Sequence, residues 1–213
     1  MSVVTLKLAM ELKIGILALQ GDFDNHARVM NELGISNVFI RKPSDFMING
    51  VWTVDALIVP GGESTTMIIV ASRKIEEGLT LWELMKLWVE KRLPVYASCA
   101  GMILMASEIF DSSQECLKAM PTCVERNAYG RQIDSFEATI HSSVPSLDGS
   151  RALFIRAPKF RSVGGCEVLG TINGEVVGVR FGNFVAVAFH AELIPGQLAW
   201  HRYFIEHVCL PNK

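Results

Sequence analysis

Three side chains in this sequence could together form a nucleophilic catalytic centre: Cys99, His190 and Glu192. Cys99 lies in the segment PVYASCAGMILM, where a strand-like apolar stretch changes into a helix-like one. A sharp turn of this kind lifts its central side chain clear of the backbone and directs the N–H groups of the next helix at the atom under attack. The positive end of that helix also favours the thiolate, the reactive form of cysteine. The alternative is a buried core cysteine without a catalytic role.

A nucleophilic cysteine needs a base, and the base needs an acceptor that orients it. The segment VAVAFHAEL offers both, because His190 ends an apolar strand and Glu192 follows two residues later. If the chain stays extended, the two side chains share a face, and the carboxylate would fix the imidazole tautomer and stabilise the imidazolium. The remaining histidines lie in polar segments, which predicts that they are solvated: His26, His141, His201 and His207.

The segment VPGGEST could supply an oxyanion hole, because consecutive glycines let backbone N–H groups approach a ligand closely. The peptide between Gly61 and Gly62 could turn either its N–H or its C=O towards the site at little steric cost. The alternative is an ordinary strand-to-helix turn in which Ser64 or Thr65 caps the helix. The segment is not a phosphate-binding P-loop, because no Gly-Lys-Ser/Thr follows the glycines.

The first half of the chain alternates between apolar strands and amphipathic helices. The strands are LKIGILALQG, NVFIRKP, VDALIVPGG and PVYAS, and the clearest helices are FDNHARVMNELG and LWELMKLWVEKRL. Near-continuous apolar strands separated by helices predict a mostly parallel sheet with helices on both faces. Ligands bind at the carboxyl ends of such strands, where Gln20, the PGGEST segment and Cys99 fall.

The second half has a different texture, since short strands replace helices beyond about Asp111. Asn173-Gly174 and Gly182-Asn183 are two-residue hairpin turns, which predict an antiparallel extension whose last strand leads to His190. The segment QLAWHRYFIEHVCL is predicted to close the chain as a helix. We expect both halves to belong to one domain over residues 1–213, with residues 1–12 as a short N-terminal extension of unknown role.

Composition excludes several classes of function for these 213 residues. A net charge of −2 and a pI of about 6.2 give no electrostatic basis for binding nucleic acid or an anionic membrane. No apolar run approaches the roughly 20 residues that a bilayer-spanning helix needs, and the N-terminal segment lacks the cleavage site of a signal peptide. The five scattered cysteines fit reduced thiols rather than disulfides or a metal site, so we expect a cytoplasmic protein.

Together these segments resemble the class I, triad-type glutamine amidotransferases. The resemblance is strongest to the glutaminase subunits of pyridoxal 5'-phosphate synthase and runs from about Lys13 to Phe204. The segments that carry it are LALQGDF, VPGGESTTM, SCAGMIL, VERNAYGRQIDSFEA, FIRAP and FHAEL. The resemblance implies an α/β fold, a separate synthase subunit as partner, L-glutamine as substrate and no cofactor or metal.

The resemblance also assigns roles to individual residues. Cys99 would be the nucleophile, His190 the general base and acid, and Glu192 the residue that orients His190. The glutamine pocket and the oxyanion region would be formed by Gly61, Gly62, Glu63, Ser64, Ala100, Arg126, Ile155, Arg156 and Gln20. The implied reaction is hydrolysis of glutamine to glutamate and ammonia through a cysteinyl thioester, with the ammonia passing to the synthase subunit.

Two positions depart from the family pattern. Ala97 stands where the family usually has glycine, and Ala191 stands where it usually has proline between the histidine and the glutamate. Three other functions stay open at this point. They are the glutaminase subunit of imidazole glycerol phosphate synthase, against which the ERNAYGRQ segment argues, a cysteine hydrolase or peptidase with the same triad, and a catalytically silent regulatory subunit.

Overall fold

The computed structural model describes residues 11–126, 128 and 135–212. Most of the predicted N-terminal extension and the centre of the VERNAYGRQIDSFEA segment therefore lie outside the described residues. Within the described chain, one contiguous hydrophobic core extends from Leu12 to Cys209.

The main sheet has seven strands, β1 (Lys13–Leu17), β2 (Ser36–Ile40), β5 (Ala56–Val59), β6 (Val95–Ser98), β12 (Glu167–Ile172), β13 (Glu175–Phe181) and β14 (Phe184–Val187). Their order across the sheet is β12-β13-β14-β6-β5-β1-β2. Strands β14, β6, β5, β1 and β2 run parallel, and β12 and β13 extend the sheet as antiparallel strands. This arrangement confirms the predicted α/β fold, its mostly parallel sheet and its antiparallel extension.

Shorter strands form three small sheets beside the main one. These strands are β3 (Met47–Ile48), β4 (Val51–Trp52), β7 (Ala106–Ile109), β8 (Met120–Glu125), β9 (Phe136–Thr139), β10 (Arg151–Phe154) and β11 (Lys159–Ser162). The pairings are β3 with β4, β9 with β10, and β8 between β7 and β11.

Helices form in the segments predicted as helical, and a short additional helix begins at Pro43. They are α1 (Phe23–Glu32), α2 (Pro43–Phe46), α3 (Ser64–Ala71), α4 (Leu81–Glu90), α5 (Ala100–Met105) and α6 (Ala199–Phe204). A capping box between Thr80 and Glu83 begins α4, whose apolar face is buried as predicted. After α6 the chain continues as a π-helical turn, Ile205–Cys209, and a 3-10 turn, Leu210–Asn212.

The position of β14 brings the two halves of the chain together. Both predicted hairpin turns are confirmed, because β12 and β13 are joined at Asn173-Gly174 and β13 and β14 at Gly182-Asn183. Strand β14 then pairs in parallel with β6, with Val187 opposite Ser98. Since parallel neighbours end at the same edge of a sheet, the residues that follow β6 and β14 lie side by side.

Candidate active site

Cys99 lies at the turn between β6 and α5 in a strained backbone conformation. Its φ of 48° and ψ of −104° fall in a region that residues with a side chain rarely adopt, which costs on the order of 1–3 kcal/mol. A small residue is needed two positions later, because a Cβ on Gly101 would lie 2.1 Å from the carbonyl oxygen of Val59. The thiol is therefore held at the N-terminus of a helix that packs closely against the neighbouring strand β5.

His190 and Glu192 follow β14 at the same edge of the sheet. The Nδ1 atom of His190 lies 2.7 Å from Oε1 of Glu192, and the carboxylate is completely buried. Two backbone hydrogen bonds fix His190, since its N–H donates to the carbonyl of Leu153 at 2.8 Å and its carbonyl accepts from the Leu153 N–H at 3.3 Å. The two residues and Cys99 are thus brought together although 91 positions separate the cysteine from the histidine in sequence.

The electrostatics of this group favour a charged imidazole. Burial alone would lower the pKa of His190, but the charge of Glu192 and hydrogen bonds with Cys99 and Glu192 raise it well above its usual value. Burial would likewise raise the pKa of Glu192, but the nearby His26 and His190 hold it well below its usual value. A charged imidazole stabilises negative charge that develops on a neighbouring sulfur, so the arrangement suits nucleophilic attack by Cys99.

The two departures from the family pattern are accommodated locally. The methyl group of Ala97 is completely buried in β6, between β5 and β14. Ala191 lacks the rigidity of proline, but its carbonyl accepts from the N–H of Ile194 at 3.2 Å. The carbonyl of Glu192 accepts a further hydrogen bond from the Arg28 guanidinium at 2.5 Å. Hydrogen bonds therefore restrain the His-Ala-Glu segment at several points.

The PGGEST segment passes directly beside His190. A Cβ on Gly61 would lie 2.2 Å from Cε1 of the His190 ring, so only glycine permits this approach. A Cβ on Gly62 would lie 2.4 Å from the side-chain oxygen of Gln20, which accepts a hydrogen bond from the Glu63 N–H at 2.6 Å. Gln20 therefore lies beside the predicted oxyanion peptide.

Helix α3 is not capped by Ser64 or Thr65. Its N-cap is Glu63, whose carboxylate accepts from the N–H of Thr65 at 3.4 Å, and Ser64 is its first helical residue. The carboxylate of Glu63 also forms an ion pair with Arg126 at 2.9 Å. The predicted pocket residues from the two halves of the chain are thus in direct contact.

Gln114 joins the same group, although its surroundings in the sequence give no sign of it. Its side-chain oxygen accepts a hydrogen bond from Arg126 at 2.7 Å and from the Thr65 hydroxyl at 3.0 Å. Its amide group donates to the Ser64 hydroxyl at 3.0 Å. A single side chain from the loop between β7 and β8 therefore connects α3 to the arginine.

A cavity of about 350 Å³ opens beside Cys99 and His190, within the range typical of small-molecule sites. Ten of the predicted site residues line it: Gly61, Gly62, Glu63, Ser64, Cys99, Ala100, Arg126, Ile155, Arg156 and His190. Four other residues, not predicted from the sequence, also line it: Gly21, Asp22, Ile103 and Leu193. Within the described chain, Gln20 and Glu192 do not line the cavity, but each contacts a residue that does. Gln20 is hydrogen-bonded to Glu63, and Glu192 to His190.

Two histidines lie in the core and not at the surface, contrary to prediction. His26 and His201 were predicted to be solvated, but both are completely buried. His26 projects from α1 and His201 from α6. The two rings meet through one nitrogen each, and the other nitrogen of His26 lies near the Glu192 carboxylate. For His26 the prediction was wrong because the residue lies on the inner face of an amphipathic helix, where polar neighbours in the sequence point outwards. For His201 it was wrong because the segment is largely apolar and packs into the core through Trp200, Tyr203 and Phe204. His141 and His207 are exposed, as predicted.

This buried group has the residue types of a metal site, but its geometry is that of a hydrogen-bond network. Ligand atoms of His26, Glu192 and His201 lie within 4.8 Å of one another. Nδ1 of His26 and Nε2 of His201 are only 2.8 Å apart, whereas two nitrogens on one tetrahedral zinc ion lie about 3.3 Å apart. A proton therefore suits the gap between the two rings better than an ion.

No helix among residues 11–126, 128 and 135–212 combines the length and the apolar character needed to cross a membrane.

Comparison with known proteins identifies the family. Residues 16–210 match the model of the SNO glutamine amidotransferase family. The chain is 41% identical to pyridoxal 5'-phosphate synthase subunit PdxT of Thermotoga petrophila over 92% of this chain and 100% of the relative. It is 43% identical to the protein of the same name from Pelotomaculum thermopropionicum over 92% and 94% of the two chains.

A solved structure supports the same assignment. The crystal structure of a glutamine amidotransferase superimposes with a TM-score of 0.79 at 38% sequence identity, over 94% of this chain and 99% of that chain. The sequence match, the fold and the arrangement of residues at the sheet edge agree. The chain belongs to the SNO family of glutamine amidotransferases.

Proposed function

We propose that this chain hydrolyses L-glutamine to L-glutamate and ammonia as the glutaminase subunit of a pyridoxal 5'-phosphate synthase. The observation that carries the proposal is the convergence of Cys99, His190 and Glu192 beside one cavity, at the ends of two adjacent parallel strands. The assembly is inferred from the relatives, which are named as PdxT subunits of pyridoxal 5'-phosphate synthase.

The reaction begins with attack of the Cys99 thiolate on the side-chain carbonyl carbon of glutamine. His190, protonated as an imidazolium, then gives its proton to the departing ammonia, and a γ-glutamyl thioester forms. Water attacks the thioester after giving a proton to His190, which releases glutamate and restores the thiolate–imidazolium pair. Glu192 touches no substrate atom in this scheme; it orients the imidazole and stabilises its positive charge.

The developing oxyanion would be stabilised by backbone N–H groups at two places. One is Ala100, in the first turn of α5, where N–H groups lack partners within the helix. The other is the Gly61-Gly62 peptide. In this structure the Gly61 carbonyl accepts a hydrogen bond from the N–H of Asp22 at 3.1 Å. Turning this peptide over would break that bond, so its orientation is a point at which a partner could control the rate.

The charged residues of the cavity suit a free amino acid as substrate. Arg126 and Arg156 offer cations for the α-carboxylate, and Glu63 and Asp22 offer anions for the α-ammonium group. Ile155 and Ile103 give the wall an apolar surface against which the substrate methylenes can pack. A peptidase site would instead need an open groove that accepts chain on both sides of the scissile bond, so the charges favour glutaminase activity.

The test is steady-state ammonia release from L-glutamine by the purified chain across a titration with the synthase subunit. We expect a low rate for the chain alone and an increase as the partner saturates it, since free ammonia production would waste glutamine. An oxyanion-hole donor is typically worth about 10²–10³ in rate, which sets the scale of the increase. A full rate without partner that does not change on adding it would contradict the coupling. Absence of ammonia release under all conditions would contradict the glutaminase assignment.

A further inference from the structure

The carboxylate of Glu192 is approached by a second histidine, His26, which does not line the cavity. Nε2 of His26 lies 3.4 Å from Oε1 of Glu192 and 3.1 Å from the hydroxyl oxygen of Ser98. All three side chains are completely buried. Within the described residues, the other carboxylate oxygen, Oε2, has no hydrogen-bond partner, so the side chain is oriented by its Oε1 contacts alone.

The His26 ring is in turn held by His201. Nδ1 of His26 and Nε2 of His201 lie 2.8 Å apart, a hydrogen-bond distance at which one nitrogen carries the hydrogen and the other accepts it. Burial and the nearby His26 lower the pKa of His201 to about 3, so His201 is neutral near pH 7 and carries one hydrogen.

The position of that hydrogen decides what His26 presents to Glu192. If His26 were neutral with its hydrogen on Nδ1, Nε2 could accept a hydrogen bond from the Ser98 hydroxyl, but its lone pair would also lie 3.4 Å from the negative carboxylate, which is unfavourable. If His201 donates from Nε2 to Nδ1 of His26, the hydrogen of His26 lies on Nε2 and points at Ser98 and Glu192. A doubly protonated His26 would also carry a hydrogen on Nε2. Both favourable arrangements therefore place an N–H donor against the carboxylate.

The main chain of Glu192 is fixed independently of its side chain. Arg28, two residues after His26 on α1, donates to the backbone carbonyl of Glu192. Loss of the His26 contact should therefore leave the residue in place while its carboxylate becomes free to rotate away from His190.

We propose that His26, held in one tautomer by His201, is a positioning residue that fixes the Glu192 carboxylate towards His190 for glutamine hydrolysis. The inference rests on the proposed function for its catalytic consequence. Helix α1 thus holds the third member of the triad from behind, through His26 to the side chain and Arg28 to the main chain.

Two substitutions at position 26 separate positioning from simple packing. The amide of H26Q can place an N–H near the position of Nε2, whereas H26N reaches only the position of Nδ1 and loses the donor to Glu192. We measure kcat and KM for ammonia release from L-glutamine in the presence of saturating synthase subunit. H26N should lower kcat about tenfold to a hundredfold, as expected for a lost hydrogen bond to a charged group, with KM within about twofold of the parent. H26Q should recover most of kcat.

The controls are the H207N and H207Q variants, which change an exposed histidine of the C-terminal helical segment and should retain the parent's rate. Equal losses in H26N and H26Q, no loss in either, or an effect confined to KM would overturn the proposal. The parent's rate in the same assay tests the proposed function separately, because its absence would contradict glutaminase activity whatever the variants do.

A measurement on the parent protein tests the proposal even if the buried variants fail to fold. Nitrogen-15 NMR of histidine-labelled protein reports which ring nitrogen carries hydrogen. We expect a hydrogen on Nε2 of His26, protected from solvent exchange. A neutral His26 ring with its hydrogen on Nδ1 would overturn the proposal without reference to activity.

Discussion

The buried neutral state of His201 predicts a specific dependence of stability on pH. An unfolded histidine has a pKa near 6.5, whereas the pKa of His201 in the native protein is about 3. Below pH 6.5 the unfolded chain therefore binds a proton that the native chain does not take up until about pH 3. Stability is lost as pH falls through this window, because acid favours the state that binds the proton.

The size of the effect follows from these two pKa values. Between pH 7 and pH 5 this one residue should remove about 2 kcal/mol from the free energy of unfolding, a large part of the ~5–15 kcal/mol of a typical domain. The assay is urea unfolding of the parent and of the H201Q variant at both pH values. The variant will be less stable at pH 7, so the quantity compared is the change in unfolding free energy between the two pH values.

We expect the parent to lose about 2 kcal/mol more than H201Q over this interval. H207Q is the matched control, because it removes an exposed histidine from the C-terminal helical segment. A constant urea m-value across the series would show that the compactness of the unfolded state has not changed. Equal losses in the parent and H201Q would refute the reasoning, since they would mean that His201 takes up its proton equally in both states.

Three further predictions concern the reaction. C99A should reduce ammonia release to background without changing the fold, whereas C123A should retain the parent's rate. Residual activity in C99A would contradict the role of Cys99 as nucleophile. E192Q should lower kcat by about 10³–10⁴ with little change in KM, and an unchanged kcat would reduce the triad to a cysteine–histidine dyad. G61A should displace the catalytic imidazole, whose Cε1 lies 2.2 Å from the added Cβ, and lower kcat at least tenfold. In G165A the added Cβ meets open space, so a normal rate in this control with a normal rate in G61A would contradict the close-packing argument.

Local sequence patterns predict most of the fold and the central chemistry. The Cys99 turn follows from an apolar strand, small residues and a helix, all of which are adjacent in the chain. The order of β14 beside β6 could be predicted only from the resemblance, because strand pairing between distant segments leaves no local pattern.

The contacts behind the triad were hidden for a different reason. His26 lies among polar neighbours, and a helix turns only some of its residues towards the core. His201 lies in a largely apolar segment, but a histidine at such a position can face either the core or the solvent. Gln114 lies in a loop without periodicity, so its hydrogen bonds to Arg126 and α3 depend on tertiary structure alone. These residues are identified by burial and distance, which the sequence does not contain.

The place of β14 in the sheet also governs how the protein can be made. Strand β6 pairs with β5 on one side and with β14 on the other, and β14 ends only at Val187. During synthesis one side of β6 therefore has no strand to pair with until about 90 further residues have been made. Insertion of β14 closes this edge and delivers His190 to Cys99 in the same event. A nascent chain interrupted before this point would have an aggregation-prone edge and would lack His190 beside Cys99, so the proposed activity requires a complete sheet.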